Sequence, residues 1–353
     1  MKILLFGDLH IYKHLSISVF EDVAQSFLFY LLEYCQKNQI TKIVFLGDWF
    51  HVKNKLYVPS FIKSIETLRI FRENKIDITF LIGNHDMPQM NTTDHSIMYA
   101  FQEYGKVIPF YEWEDIGDLR LHYLSYTKEL PDFNLSNKHN ILFGHIDVKN
   151  FVMESNFLCH DGFDFSDFEK FDSVFSGHFH KHQVKKNITY VGSPYQTRYS
   201  ERNDDKGFIV YDTDALNWKF EIYKDAPKFK EVGIDDYNPN DIKGNFVRIK
   251  THKTNDNLNE IKNTLLALGA ETVDFIFEDS NEEKELNMIE DLTMGSMKEL
   301  ASAYWDEVKQ QDMFDESIKL LIEKERIKKS DFMEIFSEIE EASLSNWKSE
   351  DSD

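Results

Sequence analysis

Five short segments of this 353-residue chain are dense in groups that hold cations or move protons. They are Gly7-Asp8-Leu9-His10, Gly47-Asp48-Trp49-Phe50-His51, Gly83-Asn84-His85-Asp86, Gly144-His145 and Gly177-His178-Phe179-His180. Carboxylate oxygen and imidazole nitrogen together suit Mn²⁺, Fe²⁺ or Zn²⁺, and the lack of thiolates argues against a closed structural zinc. In extended backbone residues i and i+2 face the same way, so Asp8 and His10 are expected to converge on one point, as are His178 and His180. Asp48 has two oxygens and can bridge two ions. Asn84 is a neutral ligand, which leaves net positive charge on such a pair for an anionic substrate. A single Gly-Asp after a strand is ordinarily a turn, and a single His ordinarily structural. The weight lies in five such segments in order, each closing an apolar run.

Those apolar runs are the elements that must position the ligands. Residues 2–6 (KILLF), 42–46 (KIVFL) and 78–82 read as buried strands, each ending in Gly followed by a ligand-type residue. The segments 17–36 and 59–73 between them carry helical periodicity, which makes a βαβαβ run and an α/β sheet with its site at the carboxyl edge of the strands. From about residue 107 short strands take over, at 107–111, 119–126, 140–144, 172–176, 188–192, 208–212 and 218–223, and a second, largely antiparallel sheet is expected. Asn187 and Asn203-Asp204-Asp205 mark turns between them. The Asp-, Asn-, Pro- and Gly-containing stretch 226–244 reads as a linker, followed by a small β-α-β unit at 246–278. Beyond 281 the pattern is helical to a frayed, acidic end. The expected division is a domain at 1–230, a small cap at 231–280 and a helical region at 281–353.

The net charge of −22 is unusual for a protein that handles nucleic acid, but −12 of it lies in residues 281–353 and only −5 in residues 1–230. Two divalent cations would nearly neutralise the first part. A hydrophobic content of 42%, with 30 Phe, is enough for a large packed core and excludes a disordered chain. The N-terminal MKILLF breaks at Gly7-Asp8, too soon for a signal sequence, and no stretch reaches the ~20 apolar residues of a membrane span, so a soluble cytoplasmic protein is expected. Cys35 and Cys159, the two cysteines, read as plain thiols.

The series Asp-x-His, Gly-Asp, Gly-Asn-His, Gly-His and Gly-His-x-His resembles that of the calcineurin-like metallophosphoesterase superfamily. The resemblance implies a two-sheet α/β/β/α sandwich and two divalent metals, Mn²⁺ by preference with Mg²⁺ as the other option. One would take Asp8, His10, Asp48 and His180; the other Asp48, Asn84, His145 and His178. It implies a catalytic His85 that protonates or hydrogen-bonds the leaving oxygen, with Asp86 as a group that could orient it. Protein phosphatases of this superfamily continue the second Gly-Asp with Val-Asp-Arg-Gly, whereas this chain has Trp49-Phe50-His51. That form is similar to SbcD-type DNA repair nucleases, in which the corresponding histidine, here His51, helps place the scissile phosphate. Tyr190-Val191-Gly192-Ser193-Pro194 matches the same group's segment closing the nuclease domain.

Carried further, the resemblance implies an exonuclease and endonuclease subunit for DNA repair, recombination or replication. It would work as a homodimer with an SbcC-type coiled-coil ATPase, in the compact form found in bacteriophage recombination endonucleases. Lys53, Lys55, Lys181, Arg198 and Arg202 lie close to the metal motifs in sequence and are candidate DNA contacts. Phe332, Ile335, Phe336 and Ile339 form a candidate ATPase-facing stripe. Phe61, Ile65 and Leu68 on the second helix read equally as core. The competing functions are a small-molecule phosphodiesterase or phosphatase of the same fold, and a non-catalytic binding scaffold.

Overall fold

A computed structural model describes residues 1–11, 19–51, 53, 56–88, 93, 95–153, 157–233, 237–251 and 257–277. The chain divides into units Met1–Ile276 and Phe277–Asp353. The helical reading of 281–353, its ATPase-facing stripe and Lys55 lie outside the described residues.

In chain order the elements are β1 (Lys2–Phe6), α1 (Val19–Asn38), β2 (Lys42–Phe45), α2 (Val58–Glu73), β3 (Asp77–Leu81), β4 (Lys106–Ile108), β5 (Tyr111–Ile116) and β6 (Leu119–Leu124). There follow β7 (His139–His145), β8 (Ser173–Gly177), β9 (Gln183–Lys185), β10 (Ile188–Tyr190), β11 (Gly207–Asp212) and β12 (Asn217–Ile222). The described chain ends with β13 (Phe229–Gly233), α3 (Pro239–Ile242), β14 (Phe246–Thr251), α4 (Leu258–Ala267) and β15 (Thr272–Phe277). One six-stranded sheet has the order β12-β11-β1-β2-β3-β4, the other β5-β6-β7-β8-β10-β9, and β13-β14-β15 form a small third sheet.

Period-2 alternation with both faces apolar explains the layering. Leu4 and Phe6 of β1 join a core with the helices, while Ile3 and Leu5 join a core between the sheets that includes Leu121, Ile141 and Phe143. On α1, Val23, Phe27, Leu31 and Cys35 recur every four residues and are all buried. The helix stops where Gln39 takes φ 57 and the amide of Ile40 donates back to the carbonyl of Cys35 at 2.9 Å, a left-handed C-terminal turn. On α2, Pro59 sits in the first turn, Leu68 is buried, and Phe61 and Ile65 are half-buried against the same core. The outer face of the second sheet is covered, among the described residues, by loops and a short 3-10 turn, Phe165–Phe168, which bury Leu142, Val174 and Ile188.

Three expectations change. The second sheet is mixed rather than largely antiparallel: β6–β7, β7–β8 and β8–β10 are parallel, and only β5–β6 and β9–β10 are antiparallel. The connections at 125–138 and 146–172 are long enough for a parallel return, and their described residues contain no α-helix that would have marked the crossover in a periodicity reading. The strands at 207–212 and 217–222 belong to the first sheet, where β11 pairs antiparallel with β1. Part of the supposed linker 226–244 is β13, parallel to β14 with Phe229 opposite Phe246. Ile242, Val247, Ile249, Leu265 and Val273 make that sheet's own small core with α4.

Candidate metal centre

All seven proposed ligands come together where the carboxyl ends of β1, β2 and β3 meet those of β7 and β8. The first two loops are zipped: Asp8 N donates to Gly47 O at 2.9 Å, His10 N to Asp48 O at 3.1 Å and Ile11 N to Trp49 O at 2.8 Å. Their backbone is not extended. Asp8, His10 and Asp48 hold φ of 53°, 47° and 63°, and His178 holds 92°, the left-handed region that side-chain-bearing residues rarely adopt. Alternation along a strand is therefore not what converges Asp8 with His10. Nor do His178 and His180 meet at one point.

Among the seven, two groups of ligand atoms form instead, and His10 also lies in a third group with His51 and His85. Asp8, His10 and His180 make one, with His180 Nε2 2.8 Å from His10 Nε2. Asp48, His145 and His178 make the other, with His178 Nδ1 3.3 Å from His145 Nε2 and the Oδ1 of Asn84 3.0 Å from each. Asp48 stands between them: its Oδ2 is 3.6 Å from His10 Nε2 and 3.5 Å from His145 Nε2. Its Oδ1 accepts the amide of His85 at 2.8 Å. Asp8 accepts the amide of His178 on Oδ1, while its Oδ2 is buried with no hydrogen-bond partner. An unsatisfied buried carboxylate oxygen and imidazole nitrogens pointed at each other are costly unless cations sit between them, so this donor set fits two divalent ions.

The glycines of the motifs are required by crowding. A Cβ on Gly47, at φ 100°, would strike the His145 ring and the backbone of Gly83. One on Gly83 would strike Asp48, and one on Gly177 would come within 2.7 Å of Leu46 O.

The protein's own charges split the titrations. Burial and the Asp48 charge raise Asp8, and the same two causes push Asp86 up to about 7. Burial opposes ionisation of Asp48, but the His145 and His10 rings outweigh it and hold that carboxyl well below its usual range. Burial likewise opposes protonation of His145, yet Asp48 takes it up to about 9. Burial and the neighbouring His180 leave His10 well below the ordinary histidine value, and burial with His85 brings His51 down to about 4.

His85 and His51 stand beside the first group. The ring of His85 is perpendicular to His10 at a centroid distance of 4.8 Å and stacked on His51 at 5.3 Å. Its Nδ1 is 2.6 Å from the carbonyl of His51, and His51 Nδ1 is 3.4 Å from His10 Nδ1. The carboxylate of Asp86 does not serve the His85 ring. It accepts the amides of Asp48 at 2.8 Å, Trp49 at 2.8 Å and Gly83 at 2.9 Å, so it anchors the backbone of two ligand loops while the His51 carbonyl orients His85.

Of the basic candidates, Arg198 lines a cleft of about 260 Å³ with His10, His51, His180 and Thr197, and its Nε lies 3.6 Å from Glu201 Oε1. Lys181 pairs with Asp204 at 3.3 Å, and Arg202 reaches the Tyr199 carbonyl at 3.3 Å and Glu231 of β13 at 3.9 Å. Lys53, half-buried, lies two residues past His51. Sequence reasoning missed Asp147, whose carboxylate contacts His178 Nε2, and Glu201, whose Oε1 is 3.0 Å from His180 Nδ1. Asp147 follows the Gly144-His145 motif by two residues, which is a faint signal; Glu201 has none in sequence.

Residues 1–182 match the family model for calcineurin-like phosphoesterases. The chain is similar to exonuclease subunit 1 of Enterobacteria phage T4, 23% identical over 228 residues that cover 62% of this chain and 67% of that protein. It is also similar to the SbcD component of the SbcCD nuclease of Staphylococcus epidermidis, 23% identical over 287 residues, 71% of this chain and 76% of that one. Among solved structures it is similar to an archaeal phosphodiesterase, 13% identical with a TM-score of 0.35, over 63% of this chain and 100% of that chain. Among the described residues no helix is long and apolar enough to cross a membrane.

Proposed function

Since the chain belongs to the calcineurin-like phosphoesterase family and is a phosphodiesterase, we propose that its substrate is DNA and that it is the nuclease subunit of an SbcCD-type repair or recombination complex. The observation that carries this reading is the ring of His85 beside the seven candidate ligands, with its Nδ1 held by the His51 carbonyl. Two relatives named as nuclease subunits support both the polynucleotide substrate and a partner subunit.

When bound, two divalent cations, Mn²⁺ by our reading, supply Lewis-acid charge at phosphorus and lower the pKa of an attacking water. The residues of the chain do the rest. His85 Nδ1–H donates to the His51 carbonyl, which leaves Nε2 as the atom that exchanges protons: as the imidazolium, His85 gives its Nε2 proton to the leaving oxygen and is left as the neutral ring with its proton on Nδ1. A His10 that faces the cage through Nε2 carries its proton on Nδ1, toward His51 Nδ1; His51 then presents Nε2–H to a phosphate oxygen. Arg198, at the mouth of the same cleft, can hold a neighbouring phosphate of the strand. Homodimerisation and the ATPase contact through the C-terminal region complete the proposal.

The test incubates purified protein with Mn²⁺ and end-labelled duplex DNA, and in parallel with nitrophenyl monoester and diester substrates. Wild-type protein is expected to cut DNA and the diester, to stop when EDTA removes the metal, and to lose about 10²–10⁴-fold as His85→Ala with metal binding intact. Monoester turnover with inert DNA would overturn the nuclease reading.

A further inference from the structure

Each histidine of Gly177-His178-Phe179-His180 turns one ring nitrogen into the cage and the other onto a carboxylate outside both ligand groups. For His180 that carboxylate is Glu201, on a 3-10 turn (Tyr199–Glu201), with Oε1 3.0 Å from Nδ1. Glu201 is 2% exposed, and it also accepts the Thr197 amide at 2.9 Å and the buried Lys206 ammonium at 3.0 Å. For His178 it is Asp147, in the loop after β7, against Nε2. Lys128 closes that carboxylate's charge at 2.6 Å.

A neutral imidazole binds a cation through one nitrogen and carries its proton on the other, so whatever accepts that proton decides the tautomer, the ring angle and the basicity of the ligand. Here the acceptors come from separate loops and serve separate groups. His180 belongs with Asp8 and His10, while His178 belongs with Asp48 and His145. Glu201 would be satisfied by Thr197 and Lys206 without any histidine, so its alignment on Nδ1 is an additional feature of the site.

We propose that Glu201 and Asp147 are separate positioning residues, one for each half of the metal centre, each setting the affinity of its own half through the histidine it holds. The proposal rests on the metal-centre reading above. It predicts that the two ions can be weakened one at a time from outside the ligand set.

The experiment titrates Mn²⁺ into the full chain by isothermal calorimetry and counts free Mn²⁺ by electron paramagnetic resonance. Wild type is compared with Glu201→Gln and Asp147→Asn, and His180→Ala and His145→Ala identify which ion belongs to which half. Each carboxylate variant is expected to weaken one ion by about 10–100-fold and leave the other within about threefold. Lys206 loses its buried carboxylate in the first variant but keeps the His180 carbonyl at 2.7 Å and Ser193 Oγ at 2.9 Å, so Glu201→Gln is measured with a thermal melt for each protein and beside Lys206→Met, which reports what loss of the lysine alone does to His180. Native affinity for both ions in folded variants, or equal weakening of both ions by either variant, overturns the proposal. Absence of Mn²⁺ binding by the wild type would overturn the metal-centre reading itself, a result distinct from those two.

Discussion

At the scale of single residues, the centre is held by what surrounds the ligands as much as by the ligands. Asp48 illustrates this: one oxygen lies between the two ligand groups, the other accepts the His85 amide, and its own amide is held by Asp86. Gly83 packs against it so closely that a Cβ there would meet both its carboxylate and its amide. Gly83→Ala is therefore expected to weaken Mn²⁺ binding about tenfold or more and to cost about 1–3 kcal/mol of stability. Calorimetric Mn²⁺ titration and a urea melt check the two effects, and an unaltered titration would show that Asp48 does not need this neighbour. The left-handed φ of Asp8, His10, Asp48 and His178 costs on the order of 1–3 kcal/mol each, and the rest of the fold must sustain it.

At the scale of elements, the strands and helices are there to make that backbone unavoidable. The α1 and α2 helices bury one face of the first sheet, with Phe27, Leu31, Leu68 and Phe71 among the fully buried side chains. Each such side chain contributes about 1.5–3 kcal/mol. Cys35 lies in this layer, and burial pushes its thiol up to about 12 from an ordinary 9.0. The folded state thus keeps a proton that the unfolded chain releases near pH 9. The associated stability is fully present below that pH and lost as pH rises toward 12, by roughly 4 kcal/mol at the limit. Cys35→Ala should flatten the fall of stability between pH 9 and 12, measured as denaturant midpoints across that range. An unchanged slope would assign the alkaline loss to buried tyrosines such as Tyr223, also raised to about 12 by burial and Asp225.

At the scale of the whole molecule, charge is divided unevenly. Truncation after Asp279 takes the net charge from −22 to −10. In the proposed function, the shortened chain keeps Mn²⁺-dependent cleavage of a nitrophenyl diester within about threefold, because every cage residue lies before β9, and it ceases to capture the coiled-coil ATPase. A pull-down that still retains the ATPase would place the partner contact elsewhere. DNA affinity should fall with added salt for both chains and less steeply for Arg198→Ala, since one fewer phosphate is neutralised.

The sequence by itself determined which candidate ligand residues stand at the strand ends and in what order, because a buried strand followed by Gly and a donor residue is a local pattern. It also announced the first βαβαβ run, where apolar periodicity is strong, and the small β14-α4-β15 unit. Only the tertiary structure decided that His178 and His180 part company into two groups, since a left-handed φ at His178 is not written in any local period. The same holds for the mixed second sheet, whose parallel pairs are joined by long irregular crossovers. It holds most of all for Glu201 and Asp147, because a carboxylate finds its histidine 21 or 31 residues away only when the chain has closed around the cage.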